Sequence, residues 1–146
     1  RLFQRIREDL GMAYSVYTGP AAYPGCGDYT IYAATTPKHA QKVLEQIDVE
    51  MNKLLQGGVM EKEFIQAKAQ LKGSFILSLE SAFNRMNNAG SNMIMLRRVI
   101  DPEETIRGIE SVTVEDVNAA VHDLVHAPRC IAVVGKNARR YLPALR

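Results

Sequence analysis

Apolar positions along the chain recur at two periods, and the changes between them divide it into elements. Leu2, Phe3, Ile6 and Leu10 fall on one helical stripe that closes at Gly11, a residue suited to the left-handed position after a helix. Residues 13–19 (AYSVYTG) and 28–36 (DYTIYAATT) are rich in Tyr, Val, Ile and Thr, which predicts two antiparallel strands. The turn-forming PAAYPGCG between them predicts a longish loop. Thr36 and Pro37 offer an N-cap and a first-turn proline for a helix carrying Ala40, Val43, Leu44, Ile47, Met51, Leu54 and Leu55, stopped by Gly57 and Gly58.

A second helical pattern runs through Phe64, Ala67, Leu71, Phe75, Leu79, Ala82, Met86, Ala89 and Met93. Gly73, Gly90 and the polar run SAFNRMNN argue for a break near Ser81 rather than one straight rod. Asp101, Pro102, Glu103 and Glu104 read as a cap, an N1 proline and an acidic first turn. Thr113 with Asp116 reads as a capping box that opens a further helix, ended by Pro128. The apolar run CIAVVG, residues 130–135, predicts a short central strand. No internal repeat, low-complexity tract or linker interrupts the 146 residues, which read as a single domain, 1–146.

Composition narrows the class without naming a chemistry. A hydrophobic content of 47% with 23% charged residues describes a globular chain with a sizeable core. Lys plus Arg number 18 against 16 Asp plus Glu, and the pairs Arg97-Arg98 and Arg139-Arg140 are too small and too separated for a nucleic-acid stripe. Nucleic acid is therefore not an expected partner. No apolar run approaches the roughly 20 residues that span a bilayer, so no membrane partner is expected either. Cys26 and Cys130 lack CxxC spacing and suggest a reduced, cytoplasmic compartment, a single disulfide between them being the alternative. Because it begins at Arg1, without a methionine or a signal-like segment, the chain reads as a piece of a longer protein.

The stretch HDLVH, residues 122–126, invites comparison with the HExxH pattern of zinc peptidases. On a helix at 100° per residue, Val117, Ala120, Val121, Leu124 and Val125 gather on one side, and His122 and His126 fall roughly 120 to 170° away on the face toward water. The segment after His126 holds no Asp, Glu or His and only Cys130, so the usual downstream third ligand is missing. Asp123 is one methylene shorter than the glutamate that serves as general base. The pattern is that of a solvated helix face, and no metal is expected on this chain. Elsewhere, Tyr14, Tyr17, Tyr29 and Tyr32 read as strand formers with one face buried. Gly25 and Gly27 form a turn, because no helix follows to make a phosphate loop. Ser74, Ser78 and Ser81 lie on a helix with no histidine nearby in sequence. Met86, Met93 and Met95 read as core filling, with a soft binding surface as the alternative.

Taken in order, RLFQRIREDLGMAYSVYTG, GGVMEKEFIQAKAQLKGSFILSLESAFNRM, IRGIESVTVEDVNAAV and IAVVG resemble the pitrilysin/insulinase metallopeptidases, the group that includes the mitochondrial processing peptidases. The resemblance runs over nearly the whole chain. It implies an α+β fold with an antiparallel-rich sheet, long helices packed on one face, and an incomplete N-terminal edge. Family members pair two similar halves, with zinc held by HxxEH and a distant glutamate in the amino-terminal half. No HxxEH occurs here, so the chain resembles the carboxy-terminal, non-metal half, inactive alone and dependent on a zinc-binding half or companion subunit. Zinc is then the partner half's cofactor and an unstructured peptide the substrate. The family's arginine and tyrosine, seven residues apart, match Arg7 and Tyr14 and imply substrate binding: a guanidinium holding peptide carbonyls and a phenol donating to a developing oxyanion. Without the resemblance, Arg7 complements a helix dipole and Tyr14 packs. An open edge or helix face further implies a homo-oligomer. A periplasmic or mitochondrial matrix location is the alternative to the cytoplasm. The competing function is a non-catalytic core subunit of a larger complex, as some family members are.

Overall fold

A computed structural model describes residues 1–145, which fall into two compact units. The first comprises residues 1–21, 28–56 and those from 121 onward; the second comprises 22–27 and 57–120. The fold is α+β, with a two-stranded antiparallel sheet and helices making up most of the remainder.

In the first unit, residues Phe3–Asp9 form widened helical turns, α1. The N–H of Gly11 donates to the Arg7 carbonyl at 3.2 Å and that of Met12 to the Ile6 carbonyl at 2.9 Å. Gly11 sits at φ +58°, where a side chain is strained, so glycine is what lets the chain reverse there into a strand. Strand β1, Ala13–Tyr23, then pairs with β2, Cys26–Thr35. The expected long loop is a two-residue turn instead: Pro24 supplies the fixed first corner and Gly25, at φ +81°, the second, as in a type II turn. The segment PAAY thus belongs to the strand, and Pro20 is tolerated because β1 has a free edge.

Helix α2, Ala40–Gly57, starts three residues after Pro37 rather than at it. Residues 36–39 form a turn in which the His39 N–H donates to the Thr36 carbonyl at 3.0 Å. Ile6, Ala13, Val16 and Val43 form the buried core of this unit, with Leu2, Met12, Ala33 and Ile47 packed around them. Ile6 is fully buried and Val43 is 2% exposed. Residues 130–135 form neither helix nor strand and enter no ladder among the described residues, which corrects the expected central strand.

Apart from residues 22–27, the second unit is helical. Helices α3, Glu61–Ser78, and α4, Ala82–Leu96, are separated at Ser81, where the break was expected, and the Ser81 hydroxyl accepts from the Asn84 N–H at 3.4 Å. Helix α5, Pro102–Ser111, is capped by the Asp101 carboxylate, which accepts from the Glu103 N–H at 2.7 Å. Helix α6, Val114–His126, opens on the expected box: the Asp116 N–H donates to the Thr113 hydroxyl at 3.1 Å and the Thr113 N–H to the Asp116 carboxylate at 2.8 Å. The Lys68 ammonium donates to the carbonyls of Glu110 and Val112 at 2.6 and 2.7 Å, so α3 caps the open end of α5. Lys72, hydrogen-bonded to Glu110, holds that carboxyl below its ordinary range, and Arg98 does the same for Glu104. Carboxylates depressed in this way support the fold while ionised and lose that contribution as pH falls through their folded-state values. Both lie at the surface, where water weakens the effect.

Because so few side chains are fully buried in the first unit, each carries a large share of its stability. Ile6→Ala is expected to lower the unfolding free energy by about 2–5 kcal/mol. Urea denaturation followed by circular dichroism measures it, and a loss below that range would remove Ile6 from the centre of the core.

Candidate functional site

The site suggested by the sequence is built around two buried residues and their immediate neighbours. Ile6 and Ala13, seven apart, belong to one core cluster. Arg7 follows Ile6 on α1, one step further round the helix, and Tyr14 follows Ala13 on β1, on the opposite face of the strand. Fixing 6 and 13 inward therefore turns 7 and 14 outward. Arg7 is about half exposed, its guanidinium 5.0 Å from the centre of the Phe3 ring and its Nε 3.6 Å from the Glu8 carboxylate. Tyr14 is 73% exposed. It lies in β1, as a strand former should, but is not buried within this chain.

Arg7 also sits in the last turn of α1, and its carbonyl accepts from both Leu10 and Gly11. Its backbone closes the helix while its side chain stays at the surface. A guanidinium presents five N–H donors and a phenol one O–H, so the two together suit the carbonyl oxygens of an extended peptide. Of the other tyrosines, Tyr17 and Tyr32 stack across the hairpin with centroids 4.7 Å apart. They behave as the cross-strand pair expected of strand formers.

The histidines of HDLVH lie at the surface, as their helical phase requires. Their rings stack with centroids 4.2 Å apart, and the His126 Nδ1 is 2.7 Å from the His122 carbonyl. Asp123 lies beside His122 at 3.7 Å. Among the described residues no group of three or more His, Cys, Asp or Glu converges to hold a metal ion. Two exposed imidazoles without a third ligand do not fit a catalytic zinc, which needs three protein ligands and an open position. Cys26 and Cys130 are both exposed and unpaired in the described chain. No helix among the described residues is long and apolar enough to cross a membrane.

A second feature of the first unit was not legible in the sequence. A cleft of about 600 Å³ lies between β2, α2 and residues 129–136. Arg129 closes it with an ion pair to Asp48 at 2.6 Å, and the Tyr141 hydroxyl donates to the Pro37 carbonyl at 2.9 Å. Both links join residues about 80 and 100 positions apart, which no local pattern reveals.

Comparison with known proteins adds the context that geometry alone lacks. Residues 1–71 match the family described as the Peptidase M16 inactive domain. The chain is 36% identical over 134 residues to the Bacillus subtilis protein named uncharacterized zinc protease YmxG, covering 92% of this chain and 33% of that one. It thus spans about a third of the length of the curated relatives it matches. Among solved structures, a conserved protein from Enterococcus faecalis V583 superposes with a TM-score of 0.67 at 28% identity, over 83% of this chain and 28% of that one. The periplasmic protease PqqL from Escherichia coli shares the fold, with a TM-score of 0.66 at 23% identity over 84% of this chain and 14% of that one.

Metal analysis checks the reading of the histidines: the purified, untagged chain is expected to carry far less than one zinc per molecule, unchanged by His122→Ala. Stoichiometric zinc lost in that variant would make HDLVH a metal site. With residues 1–71 matching the inactive domain and the relatives carrying zinc-protease names, the chain is similar to the M16 peptidases through their inactive domain.

Proposed function

We propose that this chain is the substrate-gripping, non-metal half of a zinc-dependent endopeptidase that cleaves unstructured peptides, a single half-domain that hydrolyses nothing alone. The observation that supports this reading is the exposure of Arg7 and of Tyr14, each next in sequence to a residue of the Ile6–Ala13 core, within the segment matched to the inactive domain. Zinc belongs to the amino-terminal half or to a companion subunit, which supplies the reacting centre. This chain's own residues bind and orient. Arg7 donates to backbone carbonyls of the bound peptide and Tyr14 donates one hydrogen bond where negative charge gathers on the carbonyl oxygen. Neither role requires specific side chains on the peptide, which suits an unstructured substrate held by its backbone.

The same reading places the protein in a reducing, cytoplasmic compartment, supported by two exposed free thiols. It also includes self-association through the large apolar side chains left open on α4, among them Phe83 and Ile94, 66% and 75% exposed.

The test is steady-state kinetics of the full-length parent peptidase on an unstructured peptide, with substitutions at the positions numbered here. Tyr14→Phe is expected to lower kcat by about 10²-fold, in the range of an oxyanion-stabilising donor. Arg7→Ala is expected to raise KM by about 10-fold, in line with the loss of one or two charge-assisted hydrogen bonds. Circular dichroism should stay unchanged, because both side chains are at the surface. Wild-type values for both variants would favour the non-catalytic core subunit instead.

A further inference from the structure

The corner between α1 and β1 turns on Gly11, whose left-handed backbone makes the reversal possible. Glycine also leaves the chain more freedom there than any other residue would, so the corner keeps its shape only through what holds its neighbours. On the helix side, the N–H groups of Leu10 and Gly11 donate to the carbonyls of Arg5 and Arg7, both at 3.2 Å, and the N–H of Met12 donates to the Ile6 carbonyl at 2.9 Å. On the strand side, the Met12 carbonyl accepts from the hydroxyl of Thr35, the last residue of β2. One residue is thus clamped from two directions, its N–H by α1 and its C=O by β2.

These bonds lead directly to the two side chains of the proposed site. The Ile6 carbonyl belongs to the peptide that joins Ile6 to Arg7. The Met12 carbonyl belongs to the peptide that joins Met12 to Ala13, one residue before Tyr14. Thr35 is itself well held: Thr36 precedes Pro37 and is biased toward extended conformations, and the His39 N–H closes the following turn onto the Thr36 carbonyl. The Thr35 hydroxyl does not cap that turn but reaches back 23 residues to Met12. Valine has the same branched shape and the same preference for strands, and it would suit this half-buried position as well. The hydroxyl is therefore the part of the side chain that neither the strand nor its packing accounts for.

We infer that Thr35 is a positioning residue of the proposed site: through the Met12 carbonyl, its hydroxyl sets the plane of the peptide that leads into Tyr14, and so where the phenol stands over bound peptide. The inference rests on the reading of Tyr14 as the donor to the developing oxyanion. Such a donor works only within about 2.7–3.1 Å of that oxygen, and a displacement of about 1 Å can cost a reaction about 10²-fold. Arg7 is held by its own helix and by the Met12 N–H, so loss of the Thr35 bond falls on kcat rather than on KM.

Steady-state kinetics of the full-length parent peptidase on an unstructured peptide tests this with a cycle of variants at positions 35 and 14. Thr35→Val is expected to lower kcat by about 10-fold with KM within about twofold of wild type, and Thr35→Ser, which keeps the donor, to stay within about twofold in both. In a Tyr14→Phe background, where the phenol is already gone, Thr35→Val is expected to lower kcat by less than about twofold further. Wild-type kcat in Thr35→Val, with Tyr14→Phe impaired, overturns the inference and leaves the gripping role standing. An equal loss from Thr35→Val in both backgrounds also overturns it, because Thr35 then acts on something other than Tyr14, and so does a Thr35→Ser variant as slow as Thr35→Val. Wild-type kcat in Tyr14→Phe overturns the gripping role and this inference with it. Should circular dichroism show that Thr35→Val does not fold, Thr35→Cys, with its weaker donor, takes its place in the same cycle and is read by the same outcomes.

Discussion

The burial of Ile6 against Val16 and Val43, with the left-handed reversal at Gly11, is the constraint on which the first unit turns. A helix and a strand meet there at a corner of two residues, and the corner fixes the phase of both. Once Ile6 points into the core, Arg7 is carried round to the surface, and once Ala13 joins the same cluster, Tyr14 is carried to the opposite face of its strand. The seven-residue spacing of the arginine and tyrosine is thus the shadow of the same spacing in the buried pair. A change that loosened the core or strained the reversal would disturb both surface side chains together, without touching either.

Features set by neighbours in sequence were legible before the structure. The Thr113–Asp116 box, the Asp101 cap and the break at Ser81 each depend on residues within three or four positions, and each lies where the pattern put it. The exposure of His122 and His126 followed from helical phase alone. Misplaced features depended on distant partners. The hairpin loop is shorter because β2 offers a ladder to PAAY, and α2 begins late because residues 36–39 take up a turn of their own, with the Pro37 carbonyl engaged by Tyr141 from the far end of the chain. Residues 130–135 have the composition of a central strand, but composition cannot say whether a neighbour is present to pair with.

Residue by residue, the candidate site was only half legible. Arg7 and Tyr14 were picked out by resemblance, and their spacing alone suggested nothing beyond a helix end and a strand start. The structure adds that Tyr14 is 73% exposed within this chain. In the second unit, by contrast, the charges of Lys68 and Lys72 close the end of α5, a helix whose last carbonyls have no partner of their own. Charge there supports architecture, whereas the Arg7 guanidinium rests over Phe3 and beside the Glu8 carboxylate at the surface.

The central claim is that Tyr14 faces bound peptide in the assembled enzyme. Photo-crosslinking tests it most directly: Tyr14→p-benzoylphenylalanine in the full-length parent, irradiated with an unstructured peptide, compared with the same substitution at Met60, which is also widely exposed. The expected result is a crosslink from position 14 that unlabelled peptide competes away, and none from position 60. Equal yields from the two positions, or none from position 14, would contradict it.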